Sequence, residues 1–328
     1  MSFSSSDRSG GVTVASWLPD ETLFSLASRH HLVSCNYLAS ETSRQLFGHP
    51  RSRSRPDFPS GIDFFVDATD GRFGAAVDVI FRHTLLPFYL PFNTRLHASQ
   101  AISSLRGDRI GSLRFSLGML LNHFHGRHPL KACDQCVKED TEKFCVAYWH
   151  RIHQVPGVWV CPHHQNILEV LSGTDARAGY NWCLPRSEGS TRLASPLQIQ
   201  DVVDQLGCFS KLSCAALRIT ALAPHVFLDG ERLVRAYTTQ LRSMGLQRKG
   251  GKLRFSDCIT SMLKSASTLR VIPELAALPA TERDAHMYVS QICRRPVVRM
   301  HPLQHLFAIV WLFKDWEDFW TAYTMNFR

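Results

Sequence analysis

Cys133 and Cys136 are separated by two residues, and Cys161 and His164 repeat that gap after the 24 residues 137 to 160. A two-residue gap lets a tight turn aim two side chains at one point. Two such turns, brought together by the chain between them, present four donors to a tetrahedral ion. Cys133, Cys136, Cys161 and His164 therefore read as the ligands of a zinc ribbon or finger that holds one Zn2+. His163 is the other candidate for the fourth ligand, and the repeated gap favours His164. Pro162, inside the second turn, suits a rigid knuckle. Cys145 and His150, between the pairs, read as packing or surface residues.

A redox C-x-x-C would be expected at the end of a strand that opens a helix in a βαβ pattern, and "LKACDQCVKED" lies in no such pattern. A catalytic zinc keeps one position open for water and has a base beside it. Four protein ligands close the site, H-E-x-x-H occurs nowhere, and the H-x-E … P-C-x-x-C pattern of deaminases is missing. The ion is expected to be structural, its binding energy becoming folding energy, on the order of 10 kcal/mol in isolated fingers and less where the surroundings are already packed. Other chemistry is thin. "GLQRKGGKLRF" fails as a phosphate-binding loop: Leu246 stands where Gly is needed and Leu253 where a hydroxyl would reach Mg2+. No G-x-S-x-G or G-x-G-x-x-G appears.

The elements that must position these residues read as helices. The chain has 328 residues, 45% of them hydrophobic, which is enough for a sizeable core in two or three domains. In "WLPDETLFSLASRHHL" the apolar residues recur at helical spacing, with Pro19, Asp20 and Glu21 suiting a helix start. His49 to Gly61 reads as a loop. "GRFGAAVDVIFRHTLLPFYLPF" reads as a helix ended by Pro87, with an aromatic turn closing at Pro91. Ala101 to His125 is periodic again, and Leu171 to Arg192 is loop-like or carries short strands. From Pro196 helices dominate, ending in a single long one over "HPLQHLFAIVWLFKDWEDFWTAY". There Leu303, Leu306, Phe307, Val310 and Trp311 form the core stripe.

The formal charge of +9 favours an anionic partner, most simply nucleic acid. Arg248, Lys249, Lys252 and Arg254 form a basic turn between two expected helices, Glu231 to Met244 and Ser256 to Ser265. Such a turn is where helix-turn-helix proteins touch phosphates, and it is equally readable as a solvated loop. "RSRSR" (Arg51 to Arg55) and the group Arg294, Arg295 and Arg299 are weaker candidates. The first residues, "MSFSSSDRSGG", are polar and carry no export signal. "LFAIVWLF" is too short to span a bilayer, so no membrane contact is expected. A reducing compartment follows, with the ten cysteines free or metal-bound.

At this point the residues resemble a family. "LPDETLFSLASRHH" resembles the opening signature of the TniQ/TnsD transposon target-site selectors, carried here by Pro19, Glu21, Leu23, Ser25 and Arg29. "FRHTLLPFYLPF" resembles the family's His-Thr-Leu-x-Pro-x-Tyr-x-Pro-Phe stretch. "CDQC…WHRIHQVPGVWVCPHH" resembles its zinc motif, and "HPLQHLFAIVWLF" a late helix of longer members. The resemblance implies a non-enzymatic adaptor of the bacterial cytoplasm, associated with the nucleoid. Such an adaptor binds attachment-site DNA or a CRISPR-associated RNA-guided complex and recruits the transposon's AAA+ ATPase regulator.

The fold implied is mainly α-helical, with helix-turn-helix-like parts flanking an embedded zinc module. Its divisions are a disordered tail at 1–16, an N-terminal helical domain at 17–128, the zinc-binding module at 129–192 and a C-terminal helical domain at 193–328. Three departures stand out. Gln165 occupies a position where relatives often have Gly. Cys183 is alone where RNA-guided members carry a second pair. The chain ends at Arg328, short of the added domains of attachment-site selectors. The target type is therefore open, and a homodimer is compatible with the sequence. The rival readings are a stand-alone zinc-containing transcription regulator and an enzyme, a zinc-assisted nuclease or hydrolase.

Overall fold

A computed structural model describes residues 14–50, 56–108, 110–121, 124, 129–172, 182–185, 192–195, 199–246, 253–294 and 300–325. The chain is mainly α-helical with one small sheet. The first helices are α1 (Leu23–Val33), α2 (Ala39–Phe47), α3 (Ile62–Ala68), α4 (Ala76–His83), α5 (Leu86–Tyr89), α6 (Arg95–Arg106) and α7 (Leu113–Ser116). The middle carries β1 (Lys131–Ala132), α8 (Asp134–Phe144), α9 (Arg151–Gln154), β2 (Glu169–Ser172) and β3 (Arg192–Ala194). The last helices are α10 (Ile199–Leu222), α11 (Gly230–Ser243), α12 (Phe255–Leu269), α13 (Glu282–Cys293), α14 (Pro302–Leu312) and α15 (Trp316–Met325). The strands form an antiparallel sheet in the order β1-β2-β3. Among the described residues no helix is long and apolar enough to cross a membrane.

The start of order differs from the sequence expectation. Val14, inside the expected tail, is buried, and the Ser16 carbonyl accepts from Arg29 Nη2 at 2.8 Å; residues 1–13 lie outside the described residues. Nor does α1 begin at Pro19. Thr22 is its N-cap, its hydroxyl accepting from Ser25 N at 3.1 Å. Asp20 sits in the left-handed region at φ 53°, and Glu21 forms an antiparallel bridge with His150.

The acids are used by the middle of the chain instead of the helix dipole. Asp20 O accepts from Arg151 N at 2.7 Å and Asp20 Oδ2 from Ile152 N at 2.8 Å. Glu21, fully buried, takes Arg29 Nε at 2.7 Å and Nη2 at 2.6 Å, and its Oε2 also accepts from Leu18 N at 3.0 Å. The His-Thr-Leu stretch joins the same cluster. His83 Nδ1 donates to Glu21 O at 2.6 Å, while its ring stacks on Trp17 with centroids 3.5 Å apart.

Pro87 does not end a helix. α4 stops at His83, where Thr84 turns extended, and Pro87 lies in the first turn of α5, where its missing N–H costs nothing. The expected final helix is two. Lys211 Nζ caps the last turn of α14 by donating to Val310 O at 2.6 Å and to Phe313 O. Asp315 then caps a new start, its Oδ1 accepting from Asp318 N at 2.8 Å. Every residue of α14 except His305 is buried, so the expected stripe is the whole circumference. Among the described residues one hydrophobic core runs from Val14 to Tyr323, and Trp149 and Trp159, both in the middle region, are among the largest fully buried side chains.

Candidate metal centre

Two local structures present the four donors. Cys133 is the N-cap of α8 and Cys136 lies in its first turn, so the helix start aims both sulfurs one way. The second pair sits at the tip of a hairpin. Val160 bridges Ile167, Leu168 N donates to Trp159 O at 2.9 Å, and Cys161 N donates to Asn166 O at 2.8 Å. The turn is closed by Gln165 N donating to Cys161 O at 2.9 Å, with Gln165 itself at φ 57°. That hairpin continues into β2, whose ladder with β1 pairs Lys131 with Val170 and Ala132 with Glu169. The ladder delivers the end of β1, and hence Cys133, to the hairpin tip.

The structure brings Cys133, Cys136, Cys161 and His164 together, with one donor atom from each lying within 4.8 Å of all the others. The three cysteines are buried. Cys136 Sγ is 3.8 Å from Cys161 Sγ. His164 Nδ1 is 3.5, 3.3 and 3.8 Å from the sulfurs of Cys133, Cys136 and Cys161. A tetrahedral zinc with bonds of about 2.3 Å to sulfur and 2.0 Å to nitrogen has S···S edges of roughly 3.8 Å and S···N edges of roughly 3.5 Å. The four edges given lie close to these values, so the cluster could hold a metal ion of that size. None of these cysteines is in a disulfide. Hydrogen bonds from the Cys136 and Cys161 thiols hold the Cys133 thiol well below its usual pKa, so the site favours a thiolate.

The neighbours orient the donors. His164 Nε2 lies 3.0 Å from Glu139 Oε1, on α8, which fixes Nδ1 toward the sulfurs. His163, the alternative fourth ligand, is outside the cluster. Cys145 ends α8 in the left-handed conformation and is exposed, while His150 Nε2 meets Asp140 Oδ2 at 2.7 Å. Lys131, fully buried beside the site, donates to Val155 O at 3.2 Å, to Val158 O at 2.8 Å and to Glu274 Oε1 at 3.0 Å. Sequence reasoning missed Glu139, Lys131 and Glu274. Glu139 had a local signal, one helical turn after Cys136; the other two meet across the fold.

The basic turn is only partly in view. Arg248, Lys249 and Lys252 lie outside the described residues, as do Arg51 to Arg55 and residues 295–299. Arg254 is exposed, with Nη1 3.9 Å from Asp257 Oδ2 and its N donating to Leu246 O at 2.9 Å.

Comparison with known proteins adds three findings. The sequence profile of the TniQ family matches residues 13–168, and that of Tn7-like transposition protein D matches residues 219–327. Transposon Tn7 transposition protein TnsD of Escherichia coli is 24% identical over 244 residues, which cover 74% of this chain and 45% of that protein. The chain thus spans about half the length of this curated relative.

Proposed function

The chain belongs to the TniQ/TnsD family of transposition proteins, and from that membership we propose that it selects the target site for DNA transposition. The observation that carries the reading is the succession of the two profiles, TniQ over 13–168 and Tn7-like transposition protein D over 219–327, on one chain with a shared core. The protein acts by contact and makes or breaks no bonds itself. One surface docks on target DNA or on a DNA-bound RNA-guided complex. Another, in the N-terminal helical region 17–128, engages the AAA+ ATPase regulator. The C-terminal region 193–328 supplies the DNA-facing basic turn, with α11 and α12 around it as a helix-turn-helix-like part.

Cys133, Cys136, Cys161 and His164 would hold one structural Zn2+, which when bound supplies a cross-link between α8 and the Cys161 hairpin. The donor set supports zinc: three thiolates and an imidazole are a common closed set for that ion. Around it, this chain's own residues do the fixing. Glu139 holds the His164 ring, Asp20 and Ser25 tie the Trp149–Ile152 backbone to the N-terminal region, and Trp149 N donates to Ser25 Oγ at 3.0 Å.

The test is a pair of binding assays on the full chain loaded with zinc: DNA mobility shift across a salt series, and capture of the ATPase encoded by the same transposon. The reading expects both to be positive, and Lys249→Ala with Lys252→Ala to lower the salt slope by about 2. Sequence-specific DNA binding with an empty ATPase capture would assign the protein to the stand-alone regulators.

A further inference from the structure

The two stretches of chain that end in the metal-ligand pairs are both held by side chains from the C-terminal half. Glu274, fully buried in its side chain, sits on the short turn Pro273–Leu275 between α12 and α13. Its Oε1 meets Lys131 Nζ, two residues before Cys133. Its Oε2 accepts from Gly157 N at 2.8 Å and from Trp159 Nε1 at 3.1 Å, on the stretch that leads into Cys161. One carboxylate therefore spans both arms. Ser213 on α10 makes a second tie, its Oγ accepting from Trp159 N at 2.9 Å and Val160 N at 3.0 Å while donating to Phe209 O at 2.8 Å. Gly157, at φ 86°, lets the backbone come this close. A Cβ there would stand 2.5 Å from Leu306 Cδ2 of α14.

We propose that Glu274 and Ser213 are positioning residues for the metal site: they fix the arms so that Cys133 and Cys161 meet, and so couple metal retention to the packing of the C-terminal half. Each acceptor satisfies donors on buried residues, and losing it leaves those donors stranded, which burial makes costly. The arms would then relax toward new partners and draw the ligand pairs apart. Coupling of this kind is reciprocal: packing that raises metal affinity is itself strengthened by the metal by the same factor. Their bonds run to Lys131, Gly157, Trp159 and Val160, so the effect is exerted through the arms. The proposal rests on the zinc reading given above.

The experiment compares two uncharged double variants of the full chain, Lys131→Met with Glu274→Gln and Lys131→Met with Glu274→Leu. Both abolish the ion pair, and only the first keeps an oxygen for Gly157 N and Trp159 Nε1. Zinc release to a competing chelator is timed, and the d–d spectrum of the cobalt-substituted protein reports ligand geometry. The Leu variant should release zinc about tenfold faster than the Gln variant, the scale on which outer partners tune metal sites, with a shifted cobalt spectrum. Equal release rates and equal spectra would overturn the proposal. If the Leu variant does not fold, Ser213→Ala carries the same test against wild type: faster release supports the coupling and an unchanged rate overturns it. Wild-type protein that binds no zinc at all would overturn the metal reading itself, a different outcome from zinc bound with no coupling.

Discussion

Glu139 and His164 meet at 3.0 Å between Oε1 and Nε2, one from the helix that carries the first ligand pair and the other from the hairpin that carries the second. The contact pins the imidazole so that Nδ1 faces the three sulfurs. Glu139 is more than half exposed, so the contact adds little to folding. Its effect should appear in metal retention. Glu139→Ala is expected to leave the melting temperature of the zinc-loaded protein within a degree or two and to speed zinc loss to a chelator by about tenfold. An unchanged release rate would remove Glu139 from the site.

Glu21 and Arg29 form the central buried ion pair of the N-terminal region, with side-chain exposures of 0% and 12%. Removing one partner of such a pair leaves the other charge without compensation. Glu21→Ala should cost about 3–5 kcal/mol, and Arg29→Met combined with Glu21→Ala should recover part of that loss. Denaturant unfolding measures both. A single-variant cost below about 1 kcal/mol would show the pair to be solvated.

Gln165 is held at φ 57°, a conformation that costs a residue with a Cβ roughly 1–2 kcal/mol. Its side-chain Nε2 donates to Pro162 O at 3.1 Å and returns part of that cost. Gln165→Gly is expected to keep the metal and to stabilise the zinc-loaded chain slightly, by up to about 1 kcal/mol. A clear loss of stability would mean that the Pro162 contact outweighs the strain.

His305 gives the pH dependence. His305 is the one half-buried residue of α14, but its ring stacks against Phe92 and Tyr237, and the loss of water around it lowers its pKa to about 4. The unfolded chain takes up a proton near pH 6.5 that the folded one refuses until about pH 4. The neutral ring's contribution is therefore fully present above about 6.5 and is lost as pH falls through that window. Comparing wild type with His305→Gln cancels the titration of the metal ligands common to both. The stability advantage of wild type should shrink by up to about 1.4 kcal/mol per pH unit below 6.5. A constant difference from pH 7.5 to 5 would contradict the burial of a neutral ring.

The metal pairs were legible in the sequence because each is a local device: a two-residue gap on one turn. The helices were legible where periodicity and caps agree, as over α11 and α12. What was not legible is long-range. Asp20 and Glu21 look like first-turn acids of a helix, and only the fold shows that the Arg151 and Ile152 amides use the first and the Arg29 guanidinium the second. The break between α14 and α15 depends on Lys211, a residue from α10, reaching the carbonyls that end α14. Glu274 carries no motif and gains its place only when the C-terminal half packs against the hairpin.

The most direct measurement is zinc content and X-ray absorption at the zinc edge on protein purified without added metal, for wild type and Cys136→Ser. The account predicts one zinc per wild-type chain with a shell of three sulfurs and one nitrogen, and loss of that ion in the variant together with unfolding of the middle of the chain. Wild-type protein without zinc, or a Cys136→Ser chain that keeps a full complement of metal and the wild-type melting curve, would contradict it.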